Sequence, residues 1–273
     1  MQLKNIKKNM NKNNHIGVFD SGLGGLTVLK SLKFFLPEEK FIYYGDTANI
    51  PYGNKSRQTI EGYCLKIVDF LQNKKVKMIV VACNSASSVA LDIIERHATV
   101  PIIDVISPTV NKINKEKNLN TIGVIGTNTT ISSEAYQNQI IRLNKNINVI
   151  TQPCPLFVPI IESGFYNNEI SDQAISLHLN KLKKYEIDAL ILGCTHYPIL
   201  NKKIQSFLKC KIVDSPSATS LKVEEYLDKN HLRIIDNHQL NDEYYVSDKI
   251  NEFNKMARLF LEQKIDQALQ VKL

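Results

Sequence analysis

Cys83 and Cys194 each stand where an apolar run gives way to small and polar residues. The first stretch reads Val80-Val81-Ala82-Cys83-Asn84-Ser85-Ala86-Ser87, and the second Leu190-Ile191-Leu192-Gly193-Cys194-Thr195-His196-Tyr197. They lie 111 positions apart. Two thiols facing each other across a narrow cleft suit one task, which is moving a proton on and off a carbon. A thiolate on one face removes the proton, a thiol on the other returns one, and the centre inverts. The thiolate must exist near neutral pH, whereas a free cysteine has a pKa of about 8.5. A helix N-terminus lowers that value, and both cysteines precede a helical pattern, so both thiols are expected to be lowered. Asp20, His196 and Glu162 are the polar or charged groups that can tune them further.

Each of these residues also has a plainer reading. A cysteine at a strand end is ordinarily a packed small residue. Two of them in a repeated frame, each flanked by hydroxyl groups, turn the balance toward chemistry. His196 can be a structural hydrogen-bonder, Asp20 a helix N-cap before glycines, and Glu162 a carboxylate beside a turn. Cys83, Cys194 and His196 also have the ligand types of a Cys2His zinc site, so a zinc hydrolase stands as an alternative. The hydroxyl and amide groups around both cysteines suit a carboxylate better than a metal. A non-catalytic amino-acid binder is a further alternative. Gly22-Leu23-Gly24 lacks the last glycine of a dinucleotide fingerprint, because Thr27 stands there, and no GxxxxGK[ST] phosphate loop occurs.

Strands and helices must alternate to place these turns. Ile16-Gly17-Val18-Phe19 predicts a strand, Asp20 to Gly25 a turn, and Leu26 to Leu36 a helix stopped by Pro37. A strand over Phe41–Tyr44 leads into a polar loop, Gly45 to Gly53. A helix over Ser56–Asn73 precedes the strand Met78–Val81 and a helix from the Cys83 turn to His97. The pattern then restarts. Thr121-Ile122-Gly123-Val124-Ile125-Gly126 echoes Ile16-Gly17-Val18, and a turn at Asn128-Thr129-Thr130 leads to a helix from about Ser132. Ile16 to Cys83 spans 67 positions and Ile122 to Cys194 spans 72, so each half carries its cysteine at a similar depth. Alternation of this kind implies parallel βαβ units. The fold class is α/β, with two similar domains, mostly parallel sheets, and ligands held outside the carboxyl ends of the strands in the cleft between them. The expected division is a disordered lead-in at 1–14, a first domain at 15–108 plus 217–273, and a second at 109–216. The tail is expected to pack onto the first half, ending in a helix over Phe253–Gln270.

Composition bounds the partners. The 273 residues are 43% hydrophobic and 22% charged, as in an ordinary globular protein. No apolar run reaches membrane-span length, and the lysine- and asparagine-rich start has no apolar core of a secretory signal. The net charge is +7, but the lysines are scattered and the arginines few, so no nucleic-acid partner is expected. Five widely spaced cysteines without a CxxC pair fit a reducing cytoplasm rather than a disulfide framework. Cys64 and Cys210 read as buried small hydrophobes.

Several motifs together resemble the glutamate racemase family, within the cofactor-independent aspartate/glutamate racemases. They are Asp20-Ser21-Gly22-Leu23-Gly24-Gly25, Tyr44-Gly45-Asp46 with Pro51-Tyr52-Gly53, Ala82-Cys83-Asn84-Ser85, and Gly193-Cys194-Thr195-His196-Tyr197-Pro198. Pro159 to Gly164, Val213-Asp214-Ser215 and Tyr245-Val246-Ser247-Asp248 are similar to the same family, and the resemblance runs from about Ile16 to Leu261. It implies interconversion of L- and D-glutamate without a cofactor, supplying D-glutamate for peptidoglycan, by a cytoplasmic homodimer. It implies that Cys83 and Cys194 are the acid/base thiols, the second deprotonating L-glutamate and the first D-glutamate. Asp20, Glu162 and His196 would assist them. Asp20, Ser21, Tyr52, Gly53, Asn84, Ser85, Thr195 and His196 would contact substrate. No lysine lies in a motif where a pyridoxal Schiff base would form. The family usually has threonine where this chain has Ser85, so the hydroxyl is kept and a methyl is lost. An aspartate racemase or related isomerase is the alternative on the same scaffold.

Overall fold

The apolar runs become the strands of two parallel sheets. The structure, a computed structural model, describes residues 11–235, 240–262, 265 and 267–273. The first half supplies β1 (Ile16–Asp20), β2 (Phe41–Gly45), β3 (Met78–Val81) and β4 (Ile102–Asp104). The second supplies β5 (Thr121–Gly126), β6 (Asn148–Pro153), β7 (Ala189–Gly193) and β8 (Lys211–Asp214). The tail adds β9 (Glu243–Val246) and β10 (Leu269–Gln270). The orders are β10-β9-β2-β1-β3-β4 and β6-β5-β7-β8. Every ladder is parallel, with Phe19 beside Tyr44 and Val81, and Ile125 beside Leu192.

Parallel strands covered by helices on both faces lose their polar alternation, and that is why these segments read as continuous apolar runs. Ile16, Val18, Tyr43, Met78 and Val80 face a core that continues through the second half, into Val124, Leu190 and Leu192. Phe19, Tyr44, Ile79 and Val81 face a second core under the helix Arg57–Asn73. Burying each such aliphatic side chain is worth about 1.5–3 kcal/mol of transfer free energy. The shared core joins the halves. Helix Ile106–Asn114 crosses the proposed 108/109 boundary and helix Ser215–Lys229 crosses the one at 216/217.

Three expectations need revision. The turn Asn128-Thr129-Thr130 is itself helical, in Asn128–Ser132, because Thr127 caps it by accepting from the Thr130 N–H at 3.3 Å. The last helix runs Ile250–Leu261 rather than on to Gln270, and Leu269–Gln270 instead pairs beside β9. Residues 1–10 of the lead-in lie outside the described residues, while residues 11–14 form a turn. There the Asn14 N–H donates to the Asn11 carbonyl at 3.0 Å. The Lys12 carbonyl accepts from the buried Lys77 Nζ at 2.8 Å, and Lys77 also pairs with Glu39 at 2.5 Å. Cys64 is buried as expected, whereas Cys210 is only partly so.

Candidate active site

Strands β1 and β3 end at Asp20 and Val81, and β5 and β7 at Gly126 and Gly193. The turns that follow open into one cavity of about 310 Å³. Cys83 and Cys194 both line it, together with Ser21, Tyr52, Gly53, Asn84, Ser85, Glu162, Thr195 and His196. Asp20 is 1% exposed and sits behind the wall rather than in it. The structure therefore gathers ten of the eleven sequence-predicted residues around a single cavity and keeps the eleventh beneath.

The two thiols have different surroundings. Cys83 caps the short helix Asn84–Val89, its Sγ accepting from the Ala86 N–H at 3.5 Å and lying 3.6 Å from the Ser21 hydroxyl. Burial and the nearby Asp20 charge push this thiol up to about 12, and the Ala86 and Ser21 contacts offset only part of that. The expected lowering by the helix N-terminus is thus overruled at Cys83: the helix is one short piece, and loss of solvent acts on the whole charge. Asp20 is raised by its own burial, although the His196 charge and the Gly25 and Gly22 N–H groups pull it back. The Gly22 N–H donates to Asp20 Oδ2 at 2.8 Å.

Cys194 instead lies against an imidazole. His196 Nδ1 is 3.9 Å from Cys194 Sγ, and His196 Nε2 is 3.0 Å from Glu162 Oε1. Burial alone would lower His196. The hydrogen bonds to Cys194 and Glu162, and the charges of both, outweigh burial and hold the imidazolium up at about 10. Phe260 packs edge-on to the ring at 5.6 Å. After Cys194 the chain makes a 3-10 turn, Tyr197–Leu200, before the helix Asn201–Leu208, so no α-helix N-terminus abuts this thiol directly.

The glycine-rich turn after β1 has a packing reason. A Cβ on Gly24 would lie 2.3 Å from His196 Nδ1, and one on Gly53 would lie 2.7 Å from Thr127 Cβ. Both glycines let one half approach the other closely. Thr27, which spoils the dinucleotide fingerprint, has its hydroxyl 2.8 Å from the Thr195 carbonyl and fastens the same seam. Across the cavity Ser85 Oγ is 2.9 Å from Thr127 Oγ1, and the Thr129 hydroxyl donates to the Tyr52 carbonyl at 3.2 Å. Tyr52 donates to Asp46 at 2.7 Å, and the tail's Ser247 hydroxyl donates to the other Asp46 oxygen at 2.8 Å.

Sequence reasoning missed Thr127 and Asn128, which also line the cavity. The signal was present: their turn follows β5 as Asp20-Ser21 follows β1, so the repeat that linked the cysteines also linked these turns. Among the described residues no group of three His, Cys, Asp or Glu side chains is arranged to hold a metal ion. Nor is any described helix long and apolar enough to cross a membrane.

Comparison with known proteins agrees with this geometry. Residues 27–221 match the family model for Asp/Glu/hydantoin racemases. The chain is 41% identical over 260 residues to a glutamate racemase of Geobacter metallireducens, covering 94% of this chain and 96% of that one. It is 40% identical over 265 residues to one of Thermoanaerobacter pseudethanolicus, covering 94% and 96%. A solved structure of glutamate racemase from Francisella tularensis, in complex with D-glutamate, superposes with a TM-score of 0.91 at 40% identity, covering 96% of this chain and 98% of that one. An aspartate racemase of Picrophilus torridus, at 18% identity and a TM-score of 0.58, shares the fold. With its paired α/β sheets and these relatives, the chain belongs to the Asp/Glu/hydantoin racemase family and is an isomerase of the racemase kind.

Proposed function

We propose that the protein interconverts L- and D-glutamate without a cofactor, using Cys83 and Cys194 on opposite faces of the substrate. The observation that carries this reading is two buried cysteines on one cavity, in unlike electrostatic settings. In the direction from L to D, Cys194 acts as a thiolate whose charge is matched by the His196 imidazolium. Its Sγ takes the α-proton, and the electron pair left behind spreads onto the α-carboxylate. The Cys83 Sγ–H then gives its proton to the opposite face. Cys194 ends as a thiol and Cys83 as a thiolate, and exchange with solvent resets the pair. The reverse direction starts from a Cys83 thiolate.

The α-proton is weakly acidic, so the charge that develops on the carboxylate needs oriented donors in a dry site. Burial of both thiols supports the dryness. Ser21, Asn84, Ser85, Thr195 and the backbone at Tyr52-Gly53 supply donors suited to a substrate with two carboxylates. Asp20 and the Glu162–His196 pair assist the thiols on their respective sides. The choice of glutamate is supported by the named relatives and by the D-glutamate complex of the Francisella enzyme. The reading extends to a cytoplasmic homodimer providing D-glutamate for peptidoglycan, with residues 15–108 plus 217–273 forming one domain and 109–216 the other, the chain passing between them within the helices Ile106–Asn114 and Ser215–Lys229. These finer points are supported by the family resemblance.

Proton NMR of L-glutamate in D2O with the purified protein tests the reaction and the substrate together. Loss of the α-proton signal, with optical rotation falling to zero, is expected. An unchanged signal, or faster turnover of aspartate than of glutamate, would overturn the reading.

A further inference from the structure

Asn84 has only half of its amide satisfied. Its Oδ1 accepts from the Tyr136 hydroxyl at 2.6 Å. Its Nδ2 is buried and has no hydrogen-bond partner among the described residues. Buried amide groups are nearly always paired, and leaving one unmade costs free energy. Asn84 is 2% exposed and lines the cavity. The orphaned donor therefore belongs to a side chain on the cavity wall, where a bound carboxylate could supply its acceptor.

Tyr136 comes from the other half of the molecule, on helix Ala135–Leu143, and its side chain is fully buried. Its ring passes the end of β7, where a Cβ on Gly193 would lie 3.1 Å from Tyr136 Cε2. The small residue before Cys194 thus leaves room for the tyrosine. The hydroxyl has a single proton. Once that proton is given to Asn84, the oxygen can only accept from its second neighbour, Ser215 Oγ at 3.3 Å. Burial pushes the Tyr136 hydroxyl well above its ordinary range, so it stays protonated. Donation from Tyr136 to Asn84 Oδ1 leaves Nδ2 as the free end, while Ser215 Oγ also lies within reach of the Leu192 carbonyl at 3.5 Å. The opposite amide orientation would present an oxygen to the cavity and repel a carboxylate.

We propose that Tyr136 is a positioning residue, whose hydroxyl reaches across from the second half and fixes the Asn84 amide with Nδ2 set to donate to a substrate carboxylate. The proposal rests on the reading of the cavity as a site for a dicarboxylic amino acid. It adds a residue that no motif at the strand ends contains.

The test is a double-mutant cycle of Tyr136→Phe, Asn84→Ala and the pair. The readouts are KM and kcat for L-glutamate and Kd for glutarate, a dicarboxylate without the α-amino group. Tyr136→Phe is expected to raise KM and the glutarate Kd about tenfold, with kcat within about threefold of the parent and the pH profile kept. The double variant should lose no more than Asn84→Ala alone, since the tyrosine acts through that amide. Unchanged KM in Tyr136→Phe, or additive losses in the pair, would overturn the proposal. A second measurement uses the parent protein and does not depend on how the variant folds. The side-chain amide signals of 15N-labelled Asn84, identified by their absence in Asn84→Ala, should move on saturation with glutarate, and signals that stay put would also overturn it. If the parent racemises glutamate while Tyr136→Phe matches it, only this proposal fails. If the parent leaves the α-proton of glutamate unexchanged, the functional reading fails, and the glutarate Kd of Tyr136→Phe against that of the parent still judges Tyr136.

Discussion

The two cysteine turns hold matching places in the two sheets, yet their electrostatics are opposite. Cys83 faces a carboxyl group and a serine, and its thiol is pushed up to about 12 by burial and the Asp20 charge. Cys194 faces an imidazole held protonated to about 10, itself bonded to Glu162. One side favours a neutral thiol, and the other sets a thiol beside an imidazolium paired with Glu162. A repeated backbone frame therefore does not imply repeated chemistry, because residue type differs at matching positions: Asp20 ends β1 where Gly126 ends β5, and His196 stands two places after Cys194 where Ser85 stands two places after Cys83. On the proposed mechanism an acid and a base are both needed for inversion, and the two half-sites offer unlike surroundings for them. Enantiomers have an equilibrium constant of one, so the asymmetry cannot favour one product. It must show in the separate proton-transfer steps.

The largest effect expected is from Cys83→Ser and Cys194→Ser. Each removes one proton carrier, so racemisation should fall by about a hundred- to ten-thousandfold. Deuterium exchange separates the sides. Cys83→Ser should still exchange the α-proton of L-glutamate at neutral pH, while Cys194→Ser should exchange only D-glutamate and only in alkaline solution. Exchange of both enantiomers by either variant would dissolve the distinction between the half-sites.

His196→Asn comes next. It should slow exchange of L-glutamate by about a hundredfold, more than it slows exchange of D-glutamate, because the imidazole serves Cys194. Equal losses measured on the two enantiomers would mean that His196 serves the cavity as a whole.

The pH dependence is a finer probe. The imidazolium of His196 has a raised pKa in the folded protein, so its contribution to stability is complete below about 6.5 and is lost as pH rises through about 10. Cys83 adds the same sign from about 9 upward, since its thiol also keeps its proton longer in the folded state. Melting temperature should therefore fall between pH 6.5 and 10, and His196→Asn should flatten that part of the curve. A melting temperature that rises across this range would contradict the ion pair on the Cys194 side.

Ser85→Thr should have the smallest effect. Ser85 is 4% exposed and its hydroxyl meets Thr127 across the cavity at 2.9 Å. Threonine keeps that hydroxyl and adds one methyl, so KM for glutamate should change by less than about threefold, with kcat unaltered. A larger change would show that the seam between the halves, rather than either thiol, limits binding.

Much of this was legible in the sequence. The strands of β1, β3, β5 and β7 announce themselves as apolar runs because helices cover both faces of each sheet. The cysteine pair follows from the repeat, since equal depth in equal frames puts both at strand ends. The electrostatic contrast was not legible at Cys83. The sequence shows a helix after it but not the depth of burial, and burial decides the charge. Tyr136 and Ser247 were also beyond reach as site residues. Tyr136 belongs to a helix with an ordinary pattern and Ser247 to the bend after β9, and each meets its partner only when segments far apart in the chain converge. Gly24 looked like a loop residue, and its reason is a histidine that lies far along the chain.

The place of β9 has a consequence for how the chain is made. The second sheet uses residues 121–214 without interruption, whereas the first cannot pair β2 with β9 until residue 246 has been synthesised. Domains fold as units during synthesis, at about 5–20 residues per second. The half that emerges first is thus the half that is completed last. Tyr52, held through Asp46 by Ser247, reaches its final place only as the end of the chain leaves the ribosome. A fragment released before β9 would carry both cysteines and every residue that lines the cavity, but would lack the Ser247 contact that holds Asp46 beneath Tyr52.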